Sequence, residues 1–359
     1  MTATIAAGYG IMPALIANSK NVRQQLDTLT EQASTGMVGQ TYAGLGQGAK
    51  VSLDLNQQIS TLQTYRRNID QASGGMQVTQ TAMTQIQQIA ATFVSTIPNL
   101  NGLNPSRIDS VAADARAALT QVAGLLNTKN GDTYVFGGQD IANPPVPAPD
   151  SILSSGFYTQ INAAVSALST NGAAATAAAT LAIAGSNAAG TSPFSAYLSQ
   201  PASALGASVV QTGEGTTVRT GLLASANSAA TSTGMPSTGS YMRDLMRALA
   251  TLGSMSSSQV NDPNFNALVQ DTGVSLTGVV GTMAIDAGVL GNTQANLTAT
   301  QTQLTDIETA LTGQVSSVQD VDMAATLSKL TAMQTQLQES YRLITSANSL
   351  SLINFLPAA

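Results

Sequence analysis

Residues 276–318 read LTGVVGTMAIDAGVLGNTQANLTATQTQLTDIETALTGQVSSV. Leu276, Met283, Leu290, Leu297, Leu304, Leu311 and Val318 stand seven residues apart without a break, and Val280, Ala287 and Ile307 fill some of the positions between. At 3.6 residues per turn, every seventh side chain returns to nearly the same face, so the repeat keeps one apolar stripe turned toward a partner helix. At about 1.5 Å of rise per residue the stripe runs roughly 60 Å as one helix. This pattern predicts a rod with a partner, not a pocket.

A second stripe answers it from the other half of the chain. Leu55, Ile59, Leu62, Ile69, Met76, Met83, Ile86, Phe93 and Ile97 follow three-four spacing up to IPNLNGLNP, where Pro98, Gly102 and Pro105 stop the helix. A shorter helix follows, with Ser106 placed to cap it and Ile108, Val111, Ala115, Leu119, Val122 and Leu126 as its apolar face. Asn130-Gly131 is a turn pair, and Tyr134, Val135 and Phe136 read as a short strand whose aromatic side chains belong to the core. The two long stripes are expected to pack antiparallel, completed by the shorter helix.

Outward from this centre the texture changes. NPPVPAPD, residues 143–150, cannot continue a helix, and the Ala/Thr-rich run after it is compatible with helix, short strands or loop. The expected organisation is mainly α. It is an elongated helical bundle or coiled-coil rod built from N- and C-terminal segments, with an inserted middle domain that contains β-structure. Residues 1–41 and 316–359 form terminal helical segments, 42–140 and 262–315 the central helices, and 141–261 an insert removable as a unit.

Composition excludes most chemistry. Only 9% of residues are charged, against about 25% in an average domain. A net charge of −6 without basic clusters argues against nucleic acid and against an acidic membrane surface. The chain has no Cys and no His, which removes disulfides, thiolate metal sites and the commonest general base. Lys20, Lys50, Lys129 and Lys329 sit in no catalytic motif. No catalytic, cofactor-binding or metal-binding residue is expected, and no cofactor; Asp320 and Asp322 read as an acidic pair at a helix N-terminus. No run of about 18 apolar residues suggests a membrane span. Nor does a basic segment precede the apolar start of the chain, so the N-terminus is expected to be retained.

Both termini repeat the amphipathic theme. Leu15, Val22, Leu26, Leu29 and Ala33 make a stripe before STGMVG; Met323, Leu327, Leu330, Leu337, Tyr341 and Ile344 make another after SSVQDVD. The chain then ends on SYRLITSANSLSLINFLPAA, whose Leu352 and Phe355 crowd more apolar surface into a position usually left polar. A terminal helix with so few charges has too little partner surface within one chain, so these stripes are the expected assembly interface.

LDTLTEQASTG and DVDMAATLSKLTAMQTQLQESYRLITSANSLSLINFL resemble the N- and C-terminal signatures of the flagellin family, over roughly residues 10–140 and 265–356. Within it, YVFGGQDIANPPV and the ending SLINFL are closer to the hook-associated branch than to filament flagellins. Filament flagellins carry an Arg-Leu-Ser-Ser-Gly run followed by an Asn and paired Asp residues, whereas this chain has Gln32-Ala33-Ser34-Thr35-Gly36. The resemblance implies a structural, non-enzymatic subunit of the extracellular flagellum, exported unfolded by the flagellar type III apparatus. It implies self-association in a ring or tube, contact with an adjacent hook-associated protein and with flagellin, and an export chaperone. A filament flagellin is the alternative. A cytoplasmic signalling coiled coil fits less well, because it calls for Glu-rich seams and no proline-rich insert.

Overall fold

The computed structural model describes residues 5–100, 105–232 and 236–353, with side chains described over 13–346 of that span. In chain order the helices are α1 (Ile5–Thr35), α2 (Gly48–Thr96), α3 (Pro105–Leu126), α4 (Gly156–Ser166), α5 (Leu168–Asn171), α6 (Ala173–Gly185), α7 (Tyr241–Gly253), α8 (Phe265–Gln319) and α9 (Met323–Ile353). Two hairpins join them, β1 (Lys129–Asn130) with β2 (Thr133–Tyr134), and β3 (Val209–Gly213) with β4 (Thr216–Arg219). The chain is mainly helical, with long N- and C-terminal helices paired and short strands confined to the middle. It divides into two compact units: unit 1 is residues 1–63 with 305–359, and unit 2 is residues 64–304. Helices α2 and α8 contribute to both.

In unit 2 the two long stripes meet as the heptad demands. Ile69, Met76, Met83, Ile86, Phe93 and Ile97 on α2 are buried, as are Leu276, Met283, Leu290, Leu297 and Leu304 on α8. The pairing is antiparallel: Gln301 donates a hydrogen bond to Asp70, Gly291 lies opposite Gln80, and Gly273 lies opposite Ile97. Each step along one helix is matched by a step back along the other. Between the heptad leucines, the seam uses Val279 and Asp286; Val280 and Ala287 are only half-buried.

Helix α3 buries the face read from the sequence, Ile108, Val111, Ala115, Leu119, Val122 and Leu126, and packs against α7. Every residue of α7 is buried, although Arg243, Asp244 and Arg247 lie in it. Ser240 caps the helix, accepting a 3.4 Å bond from the Arg243 N–H. The Ala/Thr run folds into α4, α5 and α6, of which α4 and α6 pack on α7. Small side chains suit this, because they allow several helices to crowd around one. Thus α7, inside the 141–261 span, is the axis around which α3, α4 and α6 gather. The strand read over Tyr134–Phe136 is shorter, ending at Tyr134. Val135 donates to the Thr128 carbonyl at 3.1 Å, and buried Phe136 accepts from Ala224 at 3.0 Å.

The buried charges are held by specific partners. Arg243 donates to the carbonyls of Ser225 and Ala184, both at 3.0 Å, and to Asn187 Oδ1 at 2.6 Å, while its guanidinium lies 5.1 Å from the Phe194 ring centre. Asp286 accepts the backbone N–H groups of Ser228, Ala229 and Ala230 at 2.9, 2.9 and 2.7 Å. Three successive amides aimed at one carboxylate form an anion nest, filled here by the chain's own side chain. Burial, then the nearby Asp286 carboxylate, pushes the Tyr241 hydroxyl well above its ordinary value.

Unit 1 is built differently. Helix α1 ends where STG predicts, with Gly36 at φ 74° and its N–H on the Gln32 carbonyl at 2.8 Å. A left-handed φ of this kind is open to glycine at no steric cost. Met37 and Asp320 then form a short antiparallel bridge, flanked by Val38 N–H to Gln319 O at 2.7 Å and Val321 N–H to Gly36 O at 2.9 Å. The bridge ties the α1–α2 link to the α8–α9 link. A Cβ on Gly48 would stand 2.5 Å from Val318, so glycine is what lets α2 start against α8.

Candidate assembly surface

Helices α1 and α9 pack against each other, as the matching terminal stripes predict. Asp322 starts α9 by accepting the N–H groups of Ala324 and Ala325 at 3.0 Å each, the capping role its place at a helix N-terminus suggested. Across the pair, Arg23 donates a hydrogen bond to the Tyr341 hydroxyl, and its guanidinium lies 5.9 Å from that ring's centre. The Glu339–Arg342 ion pair, at 2.9 Å, is exposed and of the kind that contributes little to stability.

The stripe residues fare unequally. Val22 is buried; Leu15, Leu26, Leu29, Leu330, Leu337 and Ile344 are half-buried; Met323, Leu327 and Tyr341 are exposed. The Leu352 side chain and Phe355 lie outside the described residues. Ile16, Met37, Tyr42, Val51, Leu53 and Leu343 are also exposed, and none of them belongs to the stripes read from the sequence. Their signal was available: these are large apolar residues off the main stripe, in segments with few charges. A two-helix pair buries one face of each helix and leaves the flanks wet, so these side chains lack cover within unit 1.

The surface offers shape and apolar area. Among the described residues no group of three or more acidic side chains is placed to hold a metal ion. The burial-driven shifts of Arg243, Arg247, Asp271 and Tyr241 all belong to unit 2. By length and composition α8 could cross a membrane. Its apolar seam of Leu276, Met283, Leu290 and Leu297 is buried against protein instead.

Terminal helices α1 and α9 pair with each other and leave large apolar side chains uncovered. Two family models match the chain: the bacterial flagellin N-terminal helical region over residues 11–140, and the C-terminal helical region over residues 276–356. Together these cover more than half of its length, and the chain belongs to the flagellin family. It is a flagellar axial protein, structural and not enzymatic, polymerising within the axial assembly of the extracellular bacterial flagellum. Among solved structures, a putative flagellar hook-associated protein from Vibrio parahaemolyticus is similar in fold, with a TM-score of 0.51 and 10% identity over 76% of this chain and 97% of that one. No curated protein matches the chain.

Proposed function

We propose that the chain is a hook-associated subunit of the hook–filament junction. The observation that carries this reading is the fold likeness, which takes in 97% of the hook-associated protein from Vibrio parahaemolyticus. The terminal helices polymerise the subunit into a ring or tube through Leu15, Val22, Leu26, Leu29, Met323, Leu327, Leu330, Leu337, Tyr341, Ile344, Leu352 and Phe355. Its neighbours are a second hook-associated protein on one side and flagellin on the other, and an export chaperone covers the apolar face before secretion. Residues 1–41 and 316–359 serve assembly, 42–140 and 262–315 supply the paired helices, and 141–261 is the insert, with α7 tied to the paired helices by its packing.

A filament subunit is the second reading, favoured by the matches to flagellin's own terminal regions. Removing the gene separates the two. The junction reading expects hooks without filaments and intact flagellin shed into the medium. Antibody labelling of wild-type flagella then places the chain at the hook end only; label along the whole filament establishes the second reading instead.

A further inference from the structure

A pocket of about 440 Å³ opens on the surface of unit 2, inside the size range of small-molecule sites. Helix α2 forms its floor, the β1–β2 hairpin one wall, and the first residues of β3 with Thr220 and Gly221 the other. Hydrogen bonds fix these parts to one another. Asn68 on α2 donates to the Gln211 carbonyl at 3.3 Å, the Gln139 N–H to the Gly206 carbonyl at 3.0 Å, and the Ser208 hydroxyl to the Gly138 carbonyl at 2.5 Å. None of the described residues bordering the pocket is charged.

What the lining offers is amides and hydroxyls. The side-chain amides of Gln71, Asn130 and Gln139 make no hydrogen bond to another described residue, so each presents both a donor and an acceptor. The Thr79, Thr133 and Ser208 hydroxyls donate to the carbonyls of Gly75, Asn130 and Gly138 and keep lone pairs to accept with. Two glycines keep the site in shape. Gly75 lies inside α2, where glycine is unfavourable and where its φ is not positive, yet a Cβ there would extend to 3.5 Å from the Asn130 amide nitrogen and take up the floor. A Cβ on Gly206 would collide with the Gln139 amide, so glycine lets that side chain lie along the backbone at the edge. Tyr134 adds an aromatic ring, held by the Lys129 ammonium 4.5 Å from its centre.

We infer that this pocket binds a neutral carbohydrate of one or two pyranose rings. A phosphorylated or carboxylated ligand would find no cation in the lining, and a lipid chain would leave three amides without partners. A sugar ring answers both conditions. Its hydroxyls donate and accept, as the amides require, and its rigid C–H face packs on the Tyr134 ring. The inference is independent of whether the chain serves the junction or the filament.

The test uses the full-length chain in solution and saturation-transfer NMR, with glucose, galactose, mannose, N-acetylglucosamine and the disaccharides maltose, cellobiose, lactose and chitobiose as probes. Saturation is expected to reach at least one of them. Gln71→Ala with Gln139→Ala, both at exposed positions, should melt as wild type and weaken that binding at least about tenfold. Gly75→Leu should do the same by filling the floor, and the double variant decides alone if Gly75→Leu does not fold. Tighter binding of a disaccharide marks the end of a polysaccharide as the source and equal binding a free sugar; both uphold the inference. No transfer to any of these sugars overturns it, as does undiminished binding by the double variant. So does tighter binding of glucuronate or of an uncharged blocked tripeptide than of every neutral sugar, because the pocket would then belong to an anion or to a peptide.

Discussion

One heptad runs through both units and meets two fates. From Leu276 to Leu304 its large residues are buried, whereas Leu311 and Val318, on the same helix with the same spacing, are half-buried and Ile307 is exposed. Helix α2 shows the same change, from buried Ile69, Met76 and Met83 to half-buried Leu62, Ile59 and Leu55. Among the described residues of unit 1, Val22 and Val315 are the buried apolar side chains; unit 2 holds the rest. Local pattern is therefore not what distinguishes the units. Unit 2 adds α3, α4, α6 and α7 to the long pair, and unit 1 adds only one further pair. A stripe is dry only where enough neighbours surround it, and unit 1 has fewer of them; under the proposed function, neighbouring subunits supply the rest.

The most severe way to break this comparison is to take the extra layers from unit 2. Deleting residues 141–261 removes α7, which packs on α3, together with α4 and α6. Unit 2 is expected to lose cooperative unfolding in urea and near-ultraviolet circular dichroism. A sharp transition at the wild-type midpoint would show that the insert folds apart from the helices it touches.

Asp286→Ala comes next. It leaves three backbone N–H groups without their acceptor, and each unpaired buried group costs about 1–3 kcal/mol, with relaxation reducing the sum. A loss of about 3–5 kcal/mol in urea unfolding is expected. A loss under about 1 kcal/mol would show that water replaces the carboxylate.

Paired alanine substitutions along the heptad sharpen the contrast. Met283→Ala, in the dry part, should cost about 2–4 kcal/mol; Leu311→Ala, in the half-wet part, about 1 kcal/mol. Equal losses in the isolated monomer would mean that the seam is as well packed in unit 1 as in unit 2.

A smaller effect is expected of pH. The Arg247 guanidinium lies 3.6 Å from Asp271, yet burial, the larger influence, holds the Asp271 carboxyl above its ordinary 3.8, with Arg247 pulling it partly back. The folded state then binds this proton more tightly than the unfolded state. Stability falls as pH rises from 3.8 through the raised folded value, and the cost is complete above it. Unfolding of wild type and Asp271→Asn across that window should show the difference between them changing in this sense; a constant difference would remove Asp271 from the account.

Least of all should the monomer notice charges on the terminal stripe. Leu337→Asp with Ile344→Asp is expected to leave the urea transition of unit 2 unchanged, while flagella carrying the variant fail to assemble and folded monomer accumulates in the medium. Hydrogen exchange on wild-type monomer offers a second reading: amides of residues 337–346 should exchange far faster than those of 276–304. Comparable protection would mean that the terminal helix already has its partner within the chain.

Much of the architecture was legible because it is periodic. The stripes of α2, α3 and α8, the stop at Pro98, the turn at Gly36 and the cap at Asp322 each follow from spacing or from the chemistry of one residue. What escaped notice lacked a period or ran against it. Asp286 occupies a seam position where an apolar residue is expected, and an acidic residue inside an unbroken heptad was the available sign. The Ala/Thr run spanning α4 to α6 stayed undecided because small side chains give no strong face to either helix or strand. The Arg23–Tyr341 contact joins residues far apart in the chain that no local pattern connects.

By itself, the sequence determined that this protein is mainly helical, that its long helices need partners, and that it carries no Cys, no His and no basic cluster. Those conclusions rest on periodicity and composition, which act within a few helical turns. Only the tertiary structure decided which stretches of each stripe are dry and that α7 with its charges lies at the centre of unit 2. Burial depends on how many elements converge on a residue, and convergence is set by contacts between distant parts of the chain.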